Sequence, residues 1–552
     1  MSLLSTGLHD LPTELLYEIL SYPFLTYEHF GVAQLSRRLN SIAMPRFLAY
    51  HKIRVPVEEF SAVIETGFHH LPMDNRELFL KERDTLAALA LAFNVKSIDH
   101  LTCTFYPYSR GDYDDYHRLV RILGRLDRVG SVTIMLDMTD FSVKRATWLA
   151  ESVWKSVMRE LLNVCVEKGC QRLTVISTEA GEASFDDFLP RLPTVNMVLR
   201  KVRRISHLPR KLGIVTPPTQ PYTGHALRIV PLTDTASRSA QLRHMQISCI
   251  MLLYPPYLSL AHSILGTAAL TSLELSGIYT PMGTKAWRRA LYWLLYPLRS
   301  RLLKLTIHHC SDLPAATLFQ LLIQLKSLTS LTLAAIPEPN KFSPDFQVEN
   351  HFLPNLVALH TTPEWVMVLC PGTMPRPRFD TLSFVEVPDL MDPYHTRTFD
   401  FGAYLQNMQR VFLDSTFSLP ESGSPVDVAL DLSTVDYPAS HFVEDLLKYE
   451  DPDDRAALYL AFDRVTIMAI PAETVWLWWG SQSKCDRFCI FLSWWRNLHC
   501  VELSFEYEGS PPWVTKVDPD DVFSKLVKSA KRHCPSVRRF IIGRKEYMTA
   551  GR

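Results

Sequence analysis

The feature that most constrains this chain is an apolar string, Leu-x-x-Leu-x-Leu, that returns at near-constant intervals. The clearest copies are Leu270 to Leu275, Leu302 to Ile307 and Leu328 to Leu333, with a shorter one at Leu356 to Leu359. Their first leucines are 32, 26 and 28 residues apart. Alternating apolar residues make one side of a strand greasy. The stretches between carry helix signals. Asp312 and Pro314 open one apolar run, and Asp518 with Pro519 opens another that ends in Lys and Arg. A single strand-plus-helix unit cannot bury its own apolar face, so such units must stack on one another.

That spacing lies in the range of leucine-rich repeats, about 20–29 residues, with one unit longer. Further copies stand at Leu498 to Leu503 and Val537 to Ile542. Weaker ones stand at Leu101 to Phe105, Val132 to Leu136, Leu173 to Ile176, Val411 to Leu413 and Val465 to Ile467. The expected class is α/β, with an irregular repeat solenoid over 95–204 and 241–552. An ordinary α/β domain with alternating strands and helices is the competing reading. The Pro- and Thr-rich stretch at 205–240 reads as a loop or a break between two runs of repeats. A second polar interruption is expected from Asp414 to Val426, and a helical linker over 51–94, with a charged helix near Asn75 to Phe93.

The first 50 residues have a different pattern. Leu8 to Tyr22 starts a helix: Leu11 is held extended by the following Pro12, which suits the first helical position, and Glu14 faces the positive end of the helix dipole. Leu11, Leu15 and Ile19 form one ridge at spacing four, and Pro12, Leu16 and Leu20 form the next. Two more short helices follow, Tyr27 to Leu35 and Ser36 to Met44. Three helices in about 40 residues have little private core and call for a partner.

These residues resemble an F-box. The strings are Leu-Pro-Thr-Glu-Leu-Leu-Tyr-Glu-Ile-Leu from Leu11 and Leu-Ser-Arg-Arg-Leu-Asn-Ser-Ile-Ala from Leu35. The resemblance implies a non-catalytic substrate-recognition subunit of an SCF-type ubiquitin ligase. It would dock on the Skp adaptor, and through it a cullin, by way of Leu11, Pro12, Leu15, Leu16, Ile19, Leu20, Leu35 and Leu39, while the repeats hold a protein substrate. The match departs from the family at Pro23 and Phe24, and at Leu39, where a tryptophan is frequent. A leucine-rich interaction scaffold without ligase activity is the alternative. The helices could also be the first layer of a larger α domain.

Other classes find little support. Lys plus Arg and Asp plus Glu both number 58, a balance that speaks against a chain built to coat nucleic acid or an anionic membrane. The longest apolar run, Ile247 to Leu260, is broken by Pro255 and Pro256 and is too short for a span. The N-terminus lacks the pattern of a secretory signal, so a cytoplasmic or nuclear protein with ten reduced, mostly buried cysteines is expected. No phosphate-binding glycine loop, nucleophile elbow or His-Glu-x-x-His string occurs. Cys485 with Cys489 and the run His308-His309-Cys310 lack a second pair at zinc spacing, so no cofactor or metal is expected. Five tryptophans at 476, 478, 479, 494 and 495 read as core packing, with a recognition surface as the sharper alternative.

Overall fold

A computed structural model of the chain describes residues 11–22, 28–50, 61–66, 89–92, 95–105, 110–136, 153–177, 241–253, 257–267, 269–278, 283–310, 313–334, 336, 353–370, 379–385, 401–413, 427–432, 451–471, 482–504, 519–542 and 545–549. The chain divides into two compact units, Met1–Leu298 and Arg299–Arg552. The class is α/β, as expected, and a mostly parallel sheet dominates each unit.

Three helices open the first unit: α1 (Thr13–Ile19), α2 (His29–Leu35) and α3 (Arg37–Tyr50). Pro12 stands just outside α1 as its N-cap rather than as its first helical residue, and Glu14 occupies the first turn. Helix α3 runs six residues past the expected Met44 and carries Pro45 internally. The added length brings Phe47 and Leu48 into the buried set with Leu39, Ile42, Ala43 and Met44.

The sheet of this unit is β1 (Ser61–Thr66), β2 (Ser97–Phe105), β3 (Arg128–Leu136), β4 (Arg172–Ser177), β5 (His244–Ser248) and β6 (Ser272–Ile278). Every strand pairs in parallel with the next one in sequence. Strand β1 falls inside the stretch read as a helical linker; of the helix expected at Asn75 to Phe93, 75–88 and 93 lie outside the described residues. The break expected at 205–240 also lies outside them, yet β4 and β5 on either side pair directly, Arg172 opposite His244. The long segment is therefore an insertion in one crossover and does not interrupt the sheet.

Helices α4 (Arg110–Arg125) and α5 (Val153–Glu167) connect β2–β3 and β3–β4, α6 (Tyr257–Thr267) connects β5–β6, and α7 (Gly283–Leu295) follows β6. Parallel crossovers are right-handed, and each connection steps the same way, so these helices lie on one face of the sheet. Helix α4 shows why: Tyr116, Leu119, Val120, Ile122 and Leu123 recur at helical spacing and are buried. The strand leucines and valines point to that side. The other face carries the intervening polar residues.

Strands β2 and β3 shift phase together. Ile98 and Leu101 are both buried, as are Val129 and Val132, with two outward residues between them in each strand. Gly130 permits the close approach, because a Cβ there would stand 2.6 Å from the backbone oxygen of Asp99. Gly130→Ala is expected to cost about 1–3 kcal/mol of stability as overpacking against backbone, read as a lower urea midpoint. An unchanged midpoint would contradict the close approach.

The second unit repeats the plan with β7 (Lys304–Cys310), β8 (Ser330–Ala334), β9 (Ala358–Thr361), β10 (Thr381–Val385), β11 (Asp427–Asp431), β12 (Ile467–Pro471), β13 (Cys500–Ser504) and β14 (Arg539–Ile542), all parallel. Strand β15 (Lys545–Met548) then turns back antiparallel on β14. The connecting helices are α8 (Ala315–Leu322), α9 (Pro363–Leu369), α10 (Phe401–Leu413), α11 (Pro452–Ala457), α12 (Tyr459–Arg464), α13 (Gln482–Ser493) and α14 (Pro519–His533). Val411 to Leu413, expected as a weak strand, is the end of α10. Phe401, Tyr404, Leu405, Met408 and Val411 recur at three- and four-residue spacing and are buried, which is a helical face. The interruption expected at Asp414 to Val426 lies outside the described residues.

A common lead-in sets the strands in place. A turn closes three residues before Leu328, Leu356, Leu498 and Val537, with their N–H groups donating to the carbonyls of Leu325, Leu353, Trp495 and Cys534. One carbonyl then accepts two successive N–H groups of the next unit. Thr329 O takes those of Val357 and Ala358, and His499 O takes those of Arg538 and Arg539. Gln171 O does the same for Arg243 and His244 in the first unit. Side chains reinforce the stack: Ser327 Oγ donates to Ser300 O (2.9 Å), Asn355 Nδ2 to Lys326 O (2.8 Å) and Asn497 Nδ2 to Asp463 O (2.6 Å). Backbone polar groups at each turn are thus satisfied by the neighbouring unit.

Candidate functional site

Helix α1 is clamped at both ends by side chains from the other two helices. At its start, the Arg38 guanidinium donates to Leu11 O (2.7 Å) and to Thr13 Oγ1 (2.9 Å). At its end, buried His29 Nε2 bonds Leu20 O (2.7 Å). Asn40 Nδ2 donates to Ala33 O (3.1 Å) and ties α3 to α2, while the Phe30 and Phe47 rings lie 5.5 Å apart. Burial holds the His29 imidazole below its ordinary pKa, outweighing the bond to Leu20 O, and the positive charge of Arg46 pushes the same way. Neutral His29 then donates through Nε2.

These clamps decide which apolar ridge of α1 is used. Leu16, Leu20 and Leu39 are 0%, 3% and 0% exposed and belong to the interior of the trio. Leu15, Ile19 and Leu35 are 44%, 36% and 64% exposed; Pro12 is exposed and Leu11 half-buried. The eight residues that the F-box resemblance singles out therefore split into two groups. Three seat the helix, and the others face outward. Tyr17 and Tyr22 join the outward group, Tyr17 with Arg46 stacked 5.6 Å from its ring centre. Sequence spacing did not single out the tyrosines, because they lie off both four-residue ridges. Pro23 and Phe24 lie outside the described residues. These exposed apolar side chains on a small, tightly clamped unit make the trio a candidate site.

The polar sheet face is a second candidate. In the first unit His100, Ser131, Arg172, His244 and Ser272 stand side by side across five strands. The Nδ1 of His100 bonds Ser131 Oγ (2.6 Å), and that of His244 bonds Ser272 Oγ (2.9 Å). One row further along, Thr174 Oγ1 bonds Gln246 opposite it, and Gln246 Nε2 donates diagonally to Ser276 Oγ. These residues occupy the variable positions of the leucine string, where alternation locates a surface but not its chemistry. In the second unit His360 Nε2 lies 3.8 Å from Asp431 Oδ2 on the same kind of face. Burial lowers the His360 pKa, and Asp431 opposes that shift.

The cysteines read from sequence as buried are buried, all ten of them. Burial pushes the Cys103 thiol well up and that of Cys170 up to about 12, which suppresses the thiolates that nucleophilic or metal chemistry needs. No group of three or more His, Cys, Asp or Glu among the described residues could hold a metal ion. No helix among them is long and apolar enough to cross a membrane. Of the tryptophan cluster, Trp495 is core and Trp494 half-buried with Arg455 4.9 Å over its ring, and the other three lie outside the described residues.

His309, at the end of β7, has the left-handed backbone of φ 55°. Burial, then the neighbouring His308, holds its pKa down to about 4. Unfolding restores the ordinary value of 6.5, so below that pH the unfolded chain takes up the proton first. Stability is expected to fall as pH drops from 6.5 towards 4 and to level off below. His309→Asn, which tolerates the same backbone, should make the unfolding midpoint less acid-sensitive between those limits. Equal acid sensitivity of parent and variant would contradict the assignment.

No protein-family model matches the chain, and no curated protein sequence is significantly similar to it.

Proposed function

We propose that the chain is a substrate receptor of an SCF-type ubiquitin ligase. In this reading α1–α3 are an F-box that docks on the Skp adaptor, and the strand-and-helix units are a leucine-rich repeat solenoid that holds a protein substrate. The observation that carries the reading is the outward apolar ridge of Leu15 and Ile19, with Leu35 likewise exposed, on helices whose sequence resembles an F-box. Clamped by His29 and Arg38, that ridge is preorganised, so docking costs little conformational entropy. The stacked parallel strands and their shared lead-in turns agree with a repeat array.

Such a protein contributes proximity. It holds a target lysine near the ubiquitin-charged enzyme and forms no bond itself. The test is native purification of the tagged full chain from cells, with adaptor and cullin detected in the eluate. Both are expected. Adaptor without cullin would favour an interaction scaffold that lacks ligase activity, and neither with a folded chain would end the F-box reading.

A further inference from the structure

We propose that the open strand face of the first unit binds an acidic, extended segment of a protein partner. This rests on the reading of the sheet as the substrate-holding part and names the chemistry of what it holds.

The argument is the distribution of charge. Arg172 stands in the middle of the row that runs from His100 to Ser272, and Arg243 immediately precedes His244, the first residue of the next strand. Both arginines are exposed, and neither has a carboxylate partner among the described residues. Lys168, in the turn before β4, is half-buried and likewise without one. The acidic groups nearby are already engaged: Asp99 pairs with Arg128 at 3.2 Å, and Glu274 with His244 at 4.0 Å. Asp127, exposed just before β3, and Glu167, half-buried beside Lys168, are the other carboxylates near these residues among the described ones. The edge thus keeps a local positive excess in a chain of zero net charge.

The fold does not force this sign. In the second unit the matching row is Lys304, Ser330, Ala358, Thr381 and Asp427, one cation against one anion. Further along, that sheet carries Asp431 and Glu502, and Glu546 paired with Arg539 at 3.5 Å. The matching row is balanced in one unit and positive in the other, so strand alternation does not set the sign, and a positive row favours an acidic partner.

The dimensions suit a peptide. Five parallel strands at about 4.8 Å span roughly 19 Å, the length of about six extended residues. An extended acidic segment can therefore lay carboxylates on Arg172 and Arg243, and its backbone can bond the hydroxyls and imidazoles between them.

The test measures fluorescence anisotropy of a labelled Glu- and Asp-rich peptide of about ten residues, titrated with the purified full chain. The acidic peptide is expected to bind and a Lys-rich one not. Arg172→Glu with Arg243→Glu should weaken binding by at least about tenfold, and added salt should weaken it too. Lys304→Glu in the second unit should leave it unchanged. All three positions are exposed, so the variants are expected to keep the parent's melting behaviour. Absent binding by folded chain, or binding indifferent to the arginine reversal, would overturn the proposal. So would equally tight binding of a single-stranded RNA, which would make the edge a general polyanion surface. Adaptor binding by the same preparations is read separately, so loss of one does not count against the other.

Discussion

Exchanging Leu15 and Ile19 together for aspartate is expected to abolish adaptor binding while leaving the unfolding midpoint of the chain almost unchanged. Both side chains are already more than a third exposed, so little folding stability is lost when they become charged. Docking would bury both, and a carboxylate trapped in an apolar interface without a partner costs several kcal/mol. Two of them should weaken binding by at least about a hundredfold. The informative contrast is Leu16→Asp, one residue away but fully buried. That variant should disrupt the trio itself, visible as lost helical signal or a soluble fragment digested at its N-terminus. If the Leu16 and Leu15/Ile19 variants behaved alike in folding, the separation of seating and docking ridges would be wrong.

Trp495→Ala is expected to be the most damaging single change in the second unit, at about 3–5 kcal/mol. Trp495 is fully buried. Phe462 lies 4.6 Å from it at 69° and Phe491 6.0 Å at 78°, both edge-to-face. Its carbonyl also closes the turn that leads into β13 by accepting Leu498 N–H at 3.0 Å. Trp495→Phe should cost far less than its lost volume suggests, because the indole Nε1 has no hydrogen-bond partner among the described residues. Removing an unsatisfied N–H relieves about 1–3 kcal/mol of desolvation penalty. Denaturant midpoints of the three proteins check this order, and a Phe variant as unstable as the Ala variant would contradict it.

How far the fold could be read from sequence depended on how much each strand carried of its own. Strands β6, β7, β8, β13 and β14 follow a complete string, in which an apolar residue seats the turn before the strand and two more face the helices, and β9 follows the shorter one with Thr361 in the last inward place. Strands β5, β10 and β11 were not anticipated. Strand β5 keeps the spacing with a methionine in its middle position, Leu242-x-x-Met245-x-Ile247, so a leucine string does not pick it out, and β11 offers two inward residues, Val428 with Leu430. Pairing with both neighbours, a tertiary effect, makes them strands. The α10 segment failed the other way, since Val411 to Leu413 looks extended until the helical spacing back to Phe401 is counted.

The candidate site was half legible. Two apolar ridges on α1 could be seen, but not which of them faces inward. The bonds from His29 and Arg38, and the burial of Leu39 on α3, make that choice across 9 and 27 residues of sequence. The charge on the open sheet face was hidden for a related reason. Arg172 and Arg243 are 71 residues apart in sequence and become neighbours only through the pairing of β4 with β5.

The most direct test of the central claim is calorimetric titration of the purified full chain with purified Skp adaptor. A one-to-one complex formed by the parent and lost in the Leu15→Asp/Ile19→Asp chain is the predicted result. A parent chain that unfolds cooperatively, as a native protein does, yet takes up no adaptor would contradict the F-box assignment and the ligase reading with it.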